Sequence, residues 1–215
     1  MHMHAMILLL SNPQLLDLKK IFGSAPIIYL LLLAMSIASI SIWLYSLFTF
    51  RPKDIMPESF RKELKTLLET QAYDQAQKLC QSKENLLSSL VRTGLTSRAL
   101  GPQMMVDAMK YEGKRASTPF WQRLALLNDI VIVAPMLGLL GTVIGMFYAF
   151  YDVNRSIESI NALFDGLGIA VGTTVSGLIV AILSMIFHAT LKYRIVHALN
   201  LVENEALQMT ILIRR

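Results

Sequence analysis

The sequence predicts an all-α integral membrane protein: three transmembrane helices, two of them extended into the cytoplasm, with a helical cytoplasmic domain. Three observations carry this. Of the 215 residues, 54% are hydrophobic and only 16% charged, with a mean hydropathy of +0.50, which is too apolar for a soluble domain of this length. The apolar residues are also concentrated. Residues 27–50 and 130–151 contain no charged side chain, and 166–191 contains only the titratable His188. Each run exceeds the ~20 residues a helix needs to cross a hydrocarbon core about 30 Å thick, whereas barrel strands would be shorter and would alternate. Third, Lys and Arg are distributed unevenly: 13 in residues 51–129 and four in 192–215, against one in 152–165 and two in the N-terminal segment. Cytoplasmic loops are enriched in basic residues. The expected arrangement is therefore N-terminus outside, large loop inside, short loop outside and C-terminus inside.

Taken in order, residues 1–25 read as an outer-side amphipathic segment, with Leu15, Leu16, Leu18, Ile21 and Phe22 near helical spacing around Asp17, Lys19 and Lys20. The opening MHMHAMILLL lacks a basic n-region and a small-residue cleavage site, so it is not read as a signal peptide. Transmembrane helix 1 is assigned to 26–50. Pro26 fits its first turn, Trp43 and Tyr45 fit interface anchors near its inner end, and its serines are expected to bond back to their own helix.

The cytoplasmic domain, 51–129, shows three apolar stripes at helical spacing: Phe60, Leu64, Leu67 and Leu68; Ala72, Ala76, Leu79 and Cys80; Leu86, Leu87, Leu90, Val91 and Leu95. It contains no phosphate-binding glycine loop and no nucleophile, base or ligand cluster, so neither enzymatic activity, a cofactor nor a metal is expected. The lone Cys80 excludes an internal disulfide. The net charge of +5 follows from the basic inner loops, and no nucleic-acid partner is expected.

Transmembrane helix 2 is assigned to 130–151, the short outer loop to 152–166, transmembrane helix 3 to 167–191 and a cytoplasmic C-terminal helix to 192–215. The helical pattern of the second span begins far upstream, near Pro102, and extends for about 70 Å, more than twice a membrane thickness. Along the third span, Thr174, Ala181, His188, Ile195, Val202 and Met209 recur every seven residues, a seam that continues beyond the bilayer.

The second span reads APMLGLLGTVIGMFYAF over 134–150, unusually rich in residues that weaken a helix. Ala134, Gly138, Gly141, Gly145 and Ala149 lie on one stripe of it. Ala170, Thr174, Gly177, Ala181 and Ser184 form a matching stripe on the third span. Lipid supplies no hydrophobic drive between helices, so such stripes are expected to pack backbone against backbone. Pro135 is expected to free the carbonyl of Val131 and kink the second span. Thr142 and Thr174 fall at similar depth, roughly 11–14 Å below the outer surface. Either each hydroxyl bonds back to its own helix, or the two line a polar pathway. No Asp, Glu, Lys or Arg lies deep in the membrane region, and His188 reads as an interface residue. If the chain moves ions, the carboxylate that binds them comes from another chain.

Ala134-Pro135, followed by Gly138-Leu139-Leu140-Gly141-Thr142-Val143 and Gly145, resembles the signature helix of the ExbB/TolQ/MotA family of proton-channel proteins. GIAVGTTVSGLIVAI from Gly168 resembles that family's other pore helix. The three-span topology is similar to ExbB/TolQ more than to the four-span MotA type. The resemblance implies a homo-oligomer, a pentamer, around the single membrane helices of a dimeric ExbD/TolR-like partner that supplies an aspartate. Thr142 and Thr174 would face that aspartate, and proton flow across the bacterial inner membrane would drive rotation that delivers force to the outer membrane or envelope. Ile169 stands where the family usually has glutamate, and Leu183 where it usually has proline. The alternative reading is a non-conducting helical membrane scaffold or assembly protein held by the small-residue stripes.

Overall fold

The computed structural model describes residues 26–49, 57–83, 85–153 and 159–214. The expected amphipathic segment over 1–25 lies outside the described residues. The elements are all helical: α1 (Pro26–Thr49), α2 (Glu58–Glu69), α3 (Tyr73–Ser82), α4 (Leu86–Ser97), a 3₁₀ turn (Arg98–Leu100), α5 (Pro102–Val153) and α6 (Ser159–Arg214). Three of them, α1, α5 and α6, are long and apolar enough to cross a membrane. The described part of α1 begins at Pro26.

Helix α5 is continuous for 52 residues with Pro119 and Pro135 inside it, in line with the long helical pattern that starts near Pro102. One boundary differs from the sequence reading. Helix α6 is continuous for 56 residues from Ser159, so it extends well into the stretch expected as loop over 152–166. The apolar run ends at Asp165, but a charge ends only membrane compatibility. Nothing in the residues SINALFD breaks a helix.

The chain divides into two compact units. Among the described residues, one comprises 26–41 together with 127–153 and 159–187, and the other comprises 42–49, 57–83, 85–126 and 188–214. The first has a sparse apolar core of Ile28, Leu32, Ala134 and Ala181, with Met35, Leu137, Ile144 and Val180 packed around it. Ser39 donates to Ser36 O at 2.9 Å, the back-bonding expected of a membrane serine, whereas the buried Ser46 Oγ has no hydrogen-bond partner among the described residues, against that expectation.

The second unit is a helical bundle with large side chains inside. Phe60, Leu64 and Leu68 of α2 meet Ala76 and Cys80 of α3, Leu87, Leu90 and Val91 of α4, Met105 and Met109 of α5, and Val202, Ala206, Met209 and Ile213 of α6. The apolar stripes of the sequence thus become one core. Its turns are well specified. Asn85 caps α4: its Oδ1 accepts from Ser88 N at 2.8 Å and Ser88 Oγ accepts from Asn85 N at 3.1 Å, a capping box. Helix α2 ends with Ala72 N donating to Leu67 O and Gln71 N to Leu68 O, a Schellman pattern with Gln71 at φ 58°. Gly101, at φ 99°, supplies the left-handed turn into α5. Across the bundle, Arg61 pairs with Glu205 at 3.4 Å, and the Arg98 guanidinium lies 3.9 Å from the Tyr73 ring centroid.

Candidate functional site

Within the first unit, α5 and α6 touch along their small residues. Ala134, Gly138, Gly141, Gly145 and Ala149 are buried on α5, and Gly166, Ala170, Thr173, Gly177, Ala181 and Ser184 on α6. The glycines admit close backbone approach. A Cβ at Gly177 would lie 2.6 Å from Ala134 O and 3.0 Å from Gly138 Cα, one at Gly138 2.9 Å from Thr173 O, and one at Gly145 2.9 Å from Gly166 O. These are backbone atoms, so no rotamer change relieves the overlap. Gly141 instead forms the notch that receives the Thr173 side chain.

The buried stripe of α6 differs from the sequence reading at one position. Thr173, fully buried, occupies the place between Ala170 and Gly177 that the sequence reading gave to Thr174, which is half-buried at the stripe's edge. Both threonines are compatible with helical spacing, four-then-three or three-then-four. The decision lies with Gly141 on the facing helix, whose notch accepts one hydroxyl-bearing side chain and not its neighbour. Thr173 Oγ1 donates to Ala170 O at 3.0 Å, satisfying the buried hydroxyl.

The two singled-out threonines occupy neighbouring levels of the pair. Thr142, half-buried, donates from Oγ1 to Leu139 O at 2.6 Å. Thr174 Oγ1 has Ala170 O at 3.2 Å on its own helix and Gly138 O at 3.4 Å on α5. Gly138 precedes Thr142 by four residues, about 6 Å of rise, which is close to one turn. Each hydroxyl therefore spends its proton on a backbone carbonyl. A threonine oxygen that donates in this way still has lone pairs to offer, so back-bonding leaves a pair of acceptors, not an inert surface. Pro135 is half-buried within unbroken α5, where it has no N–H to return to Val131 O. Ile169 and His188 are half-buried and Leu183 is exposed. Residues 130–150 and 166–187 contain no Asp, Glu, Lys or Arg.

Three apolar membrane-length helices, two of them joined through glycine-to-backbone contacts beside a hydroxyl pair, define a polytopic helical membrane protein with a tightly packed helix hairpin. The model of the MotA/TolQ/ExbB proton channel family matches residues 81–204, more than half of the chain, and the chain belongs to that family. It is 48% identical over 61 residues, 27% of each chain, to the biopolymer transport protein exbB1 of Vibrio cholerae. It is 39% identical over 120 residues to a putative biopolymer transport protein, ExbB homolog, of Methanothermobacter thermautotrophicus, covering 56% of this chain and 43% of that one. A putative biopolymer transport protein ExbB-like 1 of Synechocystis is 26% identical over 188 residues, 84% of this chain and 71% of its own. The match thus spans less than half the length of the first two relatives. The family and these relatives are channel and transport proteins.

Proposed function

We propose that this chain is the channel-forming subunit of a motor in the bacterial inner membrane. It would couple the proton-motive force to mechanical work on the outer membrane or envelope. The observation that carries the reading is the hydroxyl pair Thr142 and Thr174. They lie about one turn apart beside a helix contact without ionisable residues, their protons committed to Leu139, Ala170 and Gly138 carbonyls and their lone pairs available. Such oxygens can accept a hydrogen bond from a protonated carboxyl or a water, and cannot hold a proton themselves. The proton carrier is then a carboxylate on a partner, an ExbD/TolR-like single-span dimer enclosed by a pentamer of this chain. The N-terminus faces outside and the C-terminus the cytoplasm, on the distribution of Lys and Arg. In this reading Pro135 bends α5 near the inner boundary and widens the vestibule there, while Ile169 leaves the ion path dependent on the partner's carboxylate alone.

The test is proton flux into vesicles carrying the purified complex. Thr174→Val keeps the shape and removes the hydroxyl, so flux is expected to vanish while native mass spectrometry still shows the assembled complex. Normal flux in Thr174→Val and Thr142→Val would defeat the channel reading. The glycine contacts favour one competitor, a non-conducting scaffold, for which hydroxyl loss is harmless and only Gly141→Leu or Gly177→Leu destroys function.

A further inference from the structure

At its inner end α1 is held by two side-chain contacts, both within the second compact unit. Trp43 Nε1 donates to Thr190 Oγ1 of α6 at 3.2 Å. Tyr45 meets α5: the Arg123 guanidinium carbon lies 4.8 Å from its ring centroid, within cation–π range. The ring caps the guanidinium but satisfies none of its N–H groups. Arg123 Nη1 is buried, and among the described residues no acceptor lies within hydrogen-bond reach of it. A guanidinium remains charged at any physiological pH. Leaving one of its nitrogens buried without an acceptor is costly, and an incoming anion would remove that cost.

The location narrows the choice of anion. Arg123 precedes the charge-free run that begins at Ile130 by seven residues, roughly 10 Å of rise, which puts a long side chain at headgroup level. Lys192 and Arg194, both exposed, follow the third charge-free run immediately, and Lys/Arg beside the inner leaflet attract anionic lipid. Next to Tyr45 on α1, Leu44 is 41% and Phe48 69% exposed, an apolar pair one turn apart along which acyl chains can lie. Tyr45 itself is 59% exposed and Arg123 is half-buried, so the guanidinium lies beside an exposed apolar stretch of α1.

We propose that Arg123, backed by the Tyr45 ring, binds the phosphodiester of an anionic phospholipid of the inner leaflet, with Leu44 and Phe48 contacting its chains. The planar fork of arginine matches phosphate oxygens two at a time, which an ammonium does not. The bound lipid supplies the acceptor Nη1 lacks and ties α1 to α5 at the membrane boundary. This site is independent of the ion pathway, so it stands whether or not the chain conducts.

The experiment is native mass spectrometry of the full chain, delipidated in detergent and titrated with phosphatidylglycerol, phosphatidylcholine or sodium phosphate. Wild type is expected to retain phosphatidylglycerol in preference to phosphatidylcholine, and Arg123→Gln to weaken that retention about tenfold, the loss of one charge-assisted bidentate contact. Arg123→Lys, which keeps the charge without the fork, is expected to lose a smaller part, and it carries the test if Arg123→Gln fails to fold. Tyr45→Leu should fall between wild type and Arg123→Gln. Equal retention by wild type and the Arg123 variants would overturn the proposal. So would full displacement of the lipid by millimolar inorganic phosphate, which would identify a free-anion site. An altered copy number with unchanged lipid binding would assign Arg123 to a carboxylate on a neighbouring chain and also overturn it.

Discussion

Helices α5 and α6 pack in two opposite ways along their length. In the first unit they meet through glycine, alanine and threonine, with backbone atoms in contact and few large side chains buried. In the second unit the same helices contribute Met105, Met109, Val202, Met209 and Ile213 to a core filled by Phe60, Leu64, Leu87 and Val91. Water makes the burial of large apolar groups favourable, at about 25 cal/mol per Å². Lipid offers no such gain, so contact there depends on close fit and small residues. The core of the second unit is therefore sensitive to lost volume, and the helix contact of the first is sensitive to added volume.

The largest expected effect is a deletion in the bundle. Phe60 is 1% exposed and its truncation in Phe60→Ala should cost about 3–5 kcal/mol through lost transfer energy and the cavity left behind. Cys80 provides the readout. It is 3% exposed, and burial pushes its thiol up to about 11, so the folded protein should label slowly with thiol reagents. Phe60→Ala should accelerate labelling of Cys80 steeply. Unchanged labelling would mean that the bundle does not rely on this core.

The reciprocal experiment adds one methyl group to the helix pair. At Gly177 the new Cβ meets backbone of α5 at 2.6 Å, so Gly177→Ala should destabilise by about 1–3 kcal/mol, the usual range for overpacking. Gly168, on the same helix, has nothing within 4 Å of its Cβ position. Gly168→Ala should be neutral or stabilise by up to about 1 kcal/mol through helix propensity. Thermal unfolding of the detergent-solubilised protein compares them. If the two alanine variants behaved alike, the close approach of α5 and α6 would not be what their glycines provide.

How much of this was legible beforehand depended on the range of the interaction. Charge-free runs and apolar stripes are local, and α1 to α6 could be read from them. Helix continuity through 159–166 was not, because an apolar run reports what lipid accepts and not where hydrogen bonding stops. The choice between Thr173 and Thr174 was also hidden. Both fit a small-residue stripe, and only the notch at Gly141, about thirty residues away in sequence and on another helix, distinguishes them. Tyr45 reads as an ordinary interface anchor and Arg123 is one basic residue among the 13 of the inner loop; their contact appears only once α1 and α5 are assembled.

A smaller effect tests the turns of the bundle. Gln71 adopts φ 58° at the end of α2, a conformation that crowds Cβ in any L-residue other than glycine. Gln71→Gly should leave the Leu67 and Leu68 carbonyl contacts in place and raise stability by roughly 0.5–1 kcal/mol, with the unfolded-state entropy of glycine offsetting part of the relief. A loss of stability would show that the Gln71 side chain contributes more than its backbone costs.

The smallest effect is electrostatic and separates by pH. Glu112 of α5 accepts from Arg115 Nε and Nη2, both at 2.8 Å, and from Ser89 Oγ of α4 at 3.1 Å. The Arg115 hydrogen bonds are the main reason its carboxyl lies below the ordinary glutamate value; burial opposes them, and the Ser89 hydroxyl and nearby Arg92 charge reinforce them. A depressed carboxylate stabilises the fold fully above its unfolded pKa, about 4.3, and loses that contribution as pH falls through the lower folded value. Glu112→Gln cannot lose what it never had. The stability difference between wild type and Glu112→Gln should be constant from about pH 6 to 8 and shrink below about pH 4.5, measured by thermal unfolding of the detergent-solubilised protein at each pH. A difference that stayed constant down to pH 3 would mean that the fork acts through shape alone. A difference that disappeared with added salt at neutral pH would mean that the exposed Arg115 is screened and that the Ser89 contact is what joins α4 to α5.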